Sequence, residues 1–213
     1  MTKSFTWQPA QESHRENDDR RLGLLEAAEH TRRIIDALVR VDPHDPMVSE
    51  VAEKLANVAQ LLADRQLVDP PIVESKDSMR SAEYLDRSPV TGLCNPLSPP
   101  LEVVPDGQHG AKARVTMGLA YQGPPGRVHG GYVATLLDHV MGYAAGTSGQ
   151  WVFTRTLTVD YDLAVPLFQE LEITGTIDRF DGRKVWMVGQ ISAGGRVVAK
   201  AHGMWVGPRG SAE

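Results

Sequence analysis

Two adjacent glycines and one aspartate are the residues whose types and spacing best suit chemistry. Gly130 and Gly131 begin an apolar stretch in which Asp138 is the one carboxylate. Recurrence of apolar residues every three or four positions predicts a buried helix here. The unpaired N–H groups and partial positive charge at its N-terminus suit an oxyanion. An ionised carboxylate in its centre suits a nucleophile or a general base. Close packing by the glycines and a structurally satisfied aspartate are the alternatives.

The distance between the glycine turn and Asp138 leads to a prediction about the oligomeric state. Gly131 and Asp138 are seven residues apart, so they share a helix face but lie about 10 Å apart along the axis. One carboxylate therefore cannot attack a carbonyl whose oxygen is held at the N-terminus of its own helix. A second, antiparallel copy of the helix would bring its own Asp138 to this turn. The spacing thus favours a symmetric homodimer with two composite sites.

The segment from Gly123 to Asp138 resembles a known family. His129-Gly130-Gly131, with Asp138 eight residues after the first glycine, resembles the hotdog-fold acyl-CoA thioesterases of the phenylacetate-pathway type. The lead-in Gly123-Pro-Pro-Gly126 is closer to mammalian thioesterase superfamily members that hydrolyse long-chain acyl-CoA. The resemblance covers about residues 95–207. It implies hydrolysis of an acyl-CoA thioester by Asp138, with backbone N–H groups of the His129-Gly130-Gly131 turn as the oxyanion hole. For His129 it leaves two roles open, orienting this turn or the substrate, and a purely structural histidine is the alternative.

The same resemblance extends to a threonine and reveals one departure. Thr154 matches a threonine of the mammalian relatives that would hydrogen-bond the carboxylate or a water. Strand alternation places Thr154 opposite the core-facing Leu157, so this role requires a bulge or a loop; a solvent-facing strand threonine is the alternative. Phenylacetate-type members often carry asparagine where this chain has Gly123, and Asn95 is a candidate to replace it.

Two cations and a second histidine complete the candidates. The resemblance suggests that Arg183 and Lys184, after the Asp181-Gly182 turn, meet coenzyme A phosphates; an ordinary exposed basic turn is the alternative. His139 is turned about 100° from Asp138 around the helix, so we predict that it lies outside the site.

Alternation of apolar and polar residues predicts several strands on both sides of the central helix. They lie around residues 111–117, 156–163, 171–177, 185–188 and 197–205, with turns at Asp181-Gly182 and Gly194-Gly195. One buried helix with a meander of antiparallel strands is not a βαβ pattern. We predict an α+β hotdog fold, an antiparallel sheet wrapped around a central helix, over residues 101–207.

The first half of the chain is predicted to be an appendage. Residues 1–68 comprise a polar tail and two amphipathic helices, at 20–41 and from Asp45-Pro46 to about Leu67. We expect this helical hairpin to pack on its own domain or on a partner subunit; docking of another protein is the alternative. Residues 69–100 form a proline-rich connector, which is either a wall beside the pocket or a simple linker.

Composition limits the remaining possibilities. The chain has 213 residues, a formal net charge of −5 and one cysteine, Cys94. This charge does not indicate a nucleic-acid partner, and a single cysteine favours a reducing compartment. We find no signal peptide, no apolar run long enough for a membrane span, no zinc spacing and no phosphate loop. We therefore expect a cytoplasmic protein that requires no metal or cofactor.

Three functions compete. The first is acyl-CoA thioester hydrolysis by a homodimer or a homotetramer built as a dimer of dimers. The second is a hotdog dehydratase or hydratase acting on acyl thioesters, although His129 does not match the usual spacing to the helix carboxylate. The third is a non-catalytic acyl-CoA-binding or scaffold protein that uses its N-terminal helices.

Overall fold

The computed structural model describes residues 19–65, 86–99, 101–149 and 152–207. All but the last residue of the predicted tail at 1–19, the end of the predicted helical hairpin at 66–68 and residues 69–85 of the predicted connector lie outside the described residues. The division at residues 68 and 100 stays a prediction.

Three α-helices, one short 3-10 helix and six strands make up the described structure. In chain order they are α1 (Asp19–Leu38), α2 (Met47–Ala63), β1 (Glu102–Pro105), β2 (Gly110–Thr116), the 3-10 helix (Leu119–Tyr121), α3 (Gly130–Gly146), β3 (Phe153–Asp160), β4 (Glu170–Asp181), β5 (Lys184–Ala193) and β6 (Arg196–Val206).

The strands form one antiparallel sheet that packs around α3. Their order is β1-β2-β4-β5-β6-β3, so β1 and β3 are the two edges. Both predicted two-residue turns are present, with φ of +56° at Gly182 and +55° and +76° at Gly194 and Gly195. The predicted α+β hotdog fold is confirmed. The short strand β1, which ends in Pro105, was not predicted.

The core lies between α3 and the inner face of the sheet. The predicted apolar stripe of α3 is buried, and so are alternate residues of β2, β4, β5 and β6. Helix and sheet approach closely at Met141, which packs over Gly175 and its cross-strand neighbour Gly189. A Cβ on Gly175 would lie 2.9 Å from Met141 Cα, and one on Gly189 would lie 2.8 Å from Met141 Sδ. The two glycines thus let α3 sit directly on the sheet.

Helix α2 starts one residue later than predicted, with Pro46 in place of Asp45 as the N-cap. The Asp45 carboxylate accepts a hydrogen bond from the Met47 N–H at 2.9 Å, and Pro46 already has the helical φ of −60°. No side chain of α2 is buried; Val58 is 52% exposed and Leu62 is 63% exposed. Val48, Val51 and Leu55 are half-buried, so among the described residues only the C-terminal part of the apolar stripe of α2 is exposed.

Helix α1, in contrast, packs against the rest of the chain. Its Ala28 is buried, and its Arg32 guanidinium donates to the carbonyl oxygens of Leu93 and Asn95 in the connector, at 3.2 Å each. Helix α1 also lies near the 3-10 helix. Just after α1, the Arg40 guanidinium sits 5.4 Å from the centre of the Phe168 ring. Packing on its own domain, one of the two predicted arrangements, holds for α1.

Candidate active site

Within the described part of the chain, the N-terminus of α3 has one backbone donor without a hydrogen-bond partner. His129 is the N-cap, with φ −61° and ψ 134°, and its Nδ1 accepts a hydrogen bond from the Gly131 N–H at 3.0 Å. Acceptance at Nδ1 places the proton of the neutral imidazole on Nε2. The Gly130 N–H has no partner among the described residues. Of the two predicted oxyanion donors, Gly130 is therefore available, while Gly131 is occupied by His129.

The peptide group after this donor is held at both ends. The Tyr161 hydroxyl donates to the Gly130 carbonyl oxygen at 3.0 Å, while His129 binds the N–H of the same Gly130–Gly131 peptide. Sequence reasoning placed Tyr161 on a strand face and missed this contact. Strand β3 ends one residue earlier, at Asp160, so alternation does not apply to Tyr161.

Asp138 lies two turns further along α3 and is oriented by Thr154. The Thr154 hydroxyl donates to Asp138 Oδ1 at 2.8 Å. The register of β3 against β6 shifts between Thr154 and Thr156, which leaves Arg155 as the extra residue of a bulge. This is the irregularity that a Thr154–Asp138 contact was predicted to require. Asp138 is half-buried and Thr154 is exposed in the single chain.

The loop before His129 explains why glycine occupies position 123. A Cβ on Gly123 would lie 2.8 Å from His129 Cα, closer than such atoms pack, and the obstacle is backbone. The loop turns back on itself, because the Gly123 N–H donates to the Arg127 carbonyl at 3.0 Å and Gly126 has φ +74°. An asparagine at position 123 does not fit this backbone.

Each predicted substrate-binding residue has a hydrogen-bond or ion-pair partner other than Asp138. The Asn95 amide donates to the Arg87 carbonyl at 2.9 Å, and its oxygen accepts from the Leu97 N–H at 3.0 Å. Arg183 Nη1 donates to the Gly207 carbonyl at 2.8 Å. The Lys184 ammonium is 3.8 Å from the Asp181 carboxylate at the β4–β5 turn. Their contacts with substrate stay predictions.

His139 joins α3 to the connector. Its Nε2 lies 3.2 Å from the Thr91 hydroxyl. Burial lowers the pKa of His139 to about 4, because the charged imidazolium would lose its hydration. His139 is therefore neutral at pH 7.

Surface depressions, metal-ligand groups and helix hydropathy are the other features of the described residues that bear on function. Two surface depressions, of about 510 and 660 Å³, lie on the outer face of the sheet and do not include Asp138. Within the described ranges, no group of three His, Cys, Asp or Glu side chains could hold a metal ion. None of the helices described here has the length and apolar character of a membrane span.

Comparisons with known proteins extend this picture. The profile of the Thioesterase superfamily matches residues 125–200. The crystal structure of protein RHA08564, a thioesterase superfamily protein, superposes with a TM-score of 0.77 at 34% identity, covering 86% of this chain and 90% of that one. The chain belongs to the thioesterase superfamily. Residues 101–207 are only about half of this chain, whereas the match covers 86% of it. The match therefore extends beyond the predicted hotdog domain into the N-terminal half of this chain.

Named relatives in the superfamily match a shorter segment. Acyl-coenzyme A thioesterase THEM4 of Xenopus laevis is 40% identical over 70 residues, which are 33% of this chain and 32% of the frog protein. The rat protein of the same name is 37% identical over 70 residues, 33% of this chain and 30% of its own length. The similarity thus spans about a third of these relatives. The predicted membership of the superfamily is confirmed.

Proposed function

We propose that this protein hydrolyses acyl-CoA thioesters to a free acid and CoA. The observation that carries the proposal is the 2.8 Å hydrogen bond from the Thr154 hydroxyl to Asp138 Oδ1. It fixes the carboxylate, while Oδ2 has no partner among the described residues. The names of the frog and rat relatives, acyl-coenzyme A thioesterases, support the substrate class.

The reaction assigns a task to each group. The Gly130 N–H, at the positive end of α3, donates to the thioester oxygen as it gains negative charge. Asp138 either attacks the carbonyl carbon or removes a proton from a water that attacks it. The tetrahedral intermediate then breaks its carbon–sulfur bond and releases CoA thiolate, which takes up a proton. Water supplies the oxygen of the acid by either route, hydrolysing an acyl-enzyme anhydride in the first.

We further propose that the two groups act across a dimer. Gly130 and Asp138 are eight residues apart on α3, about 12 Å along the axis, which is too far for one reacting carbonyl. Strand β3 is an edge of the described sheet, with Phe153 55% exposed, so it offers a free edge close to both groups. A two-fold partner aligned on this edge would present its Asp138 to the Gly130 N–H of the first chain.

A thiol-release assay with wild-type protein and Asp138→Asn tests the proposed chemistry. The substrates are acetyl-, hexanoyl-, lauroyl-, palmitoyl- and phenylacetyl-CoA. We expect wild-type turnover of at least one, and a loss of roughly 10²–10⁴-fold in kcat in the variant, because the amide can neither attack nor deprotonate water. Circular dichroism and CoA binding should be unchanged in the variant.

Asp178→Asn is the matched control, since Asp178 is an exposed carboxylate on β4 that pairs with Arg179. It should keep wild-type activity. Full activity in folded Asp138→Asn would remove Asp138 from the mechanism. If the wild type binds acyl-CoA but releases no thiol, the proposal fails. Hydration of an enoyl-CoA would then favour the hydratase, and its absence would favour the binding protein.

A further inference from the structure

Tyr161 contacts the turn that carries the free donor. Its hydroxyl donates to the Gly130 carbonyl oxygen at 3.0 Å. Its ring lies against Gly130, because a Cβ there would be 3.5 to 3.6 Å from Tyr161 ring and hydroxyl atoms, an ordinary contact distance. The side chain is not part of the core, since Tyr161 is 52% exposed. The hydrogen bond from the Tyr161 hydroxyl to the Gly130 carbonyl is thus a surface contact with this turn.

The contact restrains the orientation of the peptide group between Gly130 and Gly131. The Gly130 carbonyl and the Gly131 N–H belong to one peptide group, and Tyr161 and His129 bind its two ends. Glycine accepts a wider range of backbone angles than any other residue, so these two contacts add restraint to a first helical turn that successive glycines make less rigid. Gly130 joins this peptide plane to the His129–Gly130 plane, which carries the Gly130 N–H, so holding the first plane restrains the directions that this N–H can take.

The position of Tyr161 in the chain links it to the carboxylate. Strand β3 carries Thr154, which binds Asp138, near its beginning, and Tyr161 immediately follows its end. Strand β3 thus contacts α3 at the carboxylate, and the residue that follows it contacts the donor turn. A displacement of β3 would disturb both groups together.

We propose that Tyr161 is a positioning residue for the oxyanion donor: its hydroxyl holds the Gly130–Gly131 peptide so that the Gly130 N–H points at the thioester oxygen. This proposal rests on the proposed thioesterase function. The hydroxyl need not touch the substrate. It acts through the peptide group, so its loss should lower the rate of the chemical step without weakening substrate binding.

Tyr161→Phe tests this by removing the hydroxyl and keeping the ring. Tyr132→Phe is the matched control, because Tyr132 lies on the same turn of α3 and its ring packs edge-on against Tyr121, with no hydrogen bond to a described residue. We expect kcat to fall about five- to tenfold in Tyr161→Phe, the loss of one neutral hydrogen bond, with KM unchanged. Tyr132→Phe should match the wild type. A kcat for Tyr161→Phe within about twofold of the wild type would overturn the proposal.

A second readout does not depend on activity. Donation to a carbonyl polarises the N–H of the same peptide, so the Gly131 amide proton should move upfield in the NMR spectrum of Tyr161→Phe and stay in place in Tyr132→Phe. An unmoved Gly131 resonance in Tyr161→Phe would contradict the proposal even if the wild type hydrolysed no thioester. An inactive wild type with a moved resonance would instead overturn the thioesterase function and retain the role of Tyr161 in holding the peptide.

Discussion

At the scale of single residues, the Gly130 N–H is the group on which the proposed chemistry depends most. It can be removed with little disturbance, because Gly130 is the first residue of α3, where proline is well tolerated. The preceding His129 has φ −61° and ψ 134°, the conformation that a following proline requires. The control Gly130→Ala keeps the N–H and places its Cβ 3.5 Å from the Tyr161 ring, an ordinary contact.

We therefore expect Gly130→Pro to fold like the wild type and to lose about 10²–10³-fold in kcat, the typical effect of removing one oxyanion donor. Gly130→Ala should lose far less. Thermal melting and kcat, measured on both variants, check this pair. Equal activity of folded Gly130→Pro and Gly130→Ala would show that the Gly130 N–H does not bind the oxyanion.

The residue scale also shows what the sequence could and could not predict. The family resemblance suggested that Thr154 binds Asp138 or a water, and strand alternation indicated that this would require a bulge or a loop; the structure has the contact and the bulge. The sequence could not show that the Gly131 N–H binds His129 while the Gly130 N–H stays available, because this depends on the rotamer of His129. Tyr161 was missed because its contact depends on where β3 ends, and periodicity locates strand ends poorly.

At the scale of elements, the connector and α3 are joined through His139. Its pKa is about 4 in the folded protein and near 6.5 in an unfolded chain, so the unfolded state takes up a proton first as the pH falls. His139 therefore lowers the stability of the folded protein progressively between pH 6.5 and pH 4. At pH 7 both states are largely neutral at this residue and the effect is small.

We expect this residue to cost about 2 kcal/mol of unfolding free energy when the pH falls from 7 to 4.5. His139→Gln keeps a polar group near the Thr91 hydroxyl but does not titrate, so its stability should fall less over this range by about that amount. Urea denaturation of both proteins at the two pH values measures the difference. An identical loss in both proteins would show that His139 does not control acid stability.

Element patterns were predictable where burial alternates clearly. The strands at 111–117 and 197–205 follow alternation, and α3 follows its apolar stripe. The partners of the N-terminal helices were not predictable. Both have apolar stripes, yet α1 reaches the connector through Arg32 while α2 buries no side chain. An apolar stripe indicates that a helix face can be buried, but it does not identify the element that buries it.

At the scale of the whole molecule, the proposed site needs two chains. Each copy of α3 would supply its Gly130 N–H to one site and its Asp138 to the other. Two inactive variants can therefore complement each other. A chain with Asp138→Asn retains its donor turn, and a chain with Gly130→Pro retains its carboxylate. A heterodimer of the two contains one intact site and one site that lacks both groups.

The most direct test of this account is the thiol-release rate of an equal mixture of Asp138→Asn and Gly130→Pro chains, tagged differently so that subunit exchange can be verified. Random exchange makes half of the dimers mixed, each with one of two sites intact, so we expect about a quarter of the wild-type rate from two nearly inactive parents. A mixture that exchanges subunits fully and yet remains at the mean rate of its parents would contradict a site shared between two copies of α3.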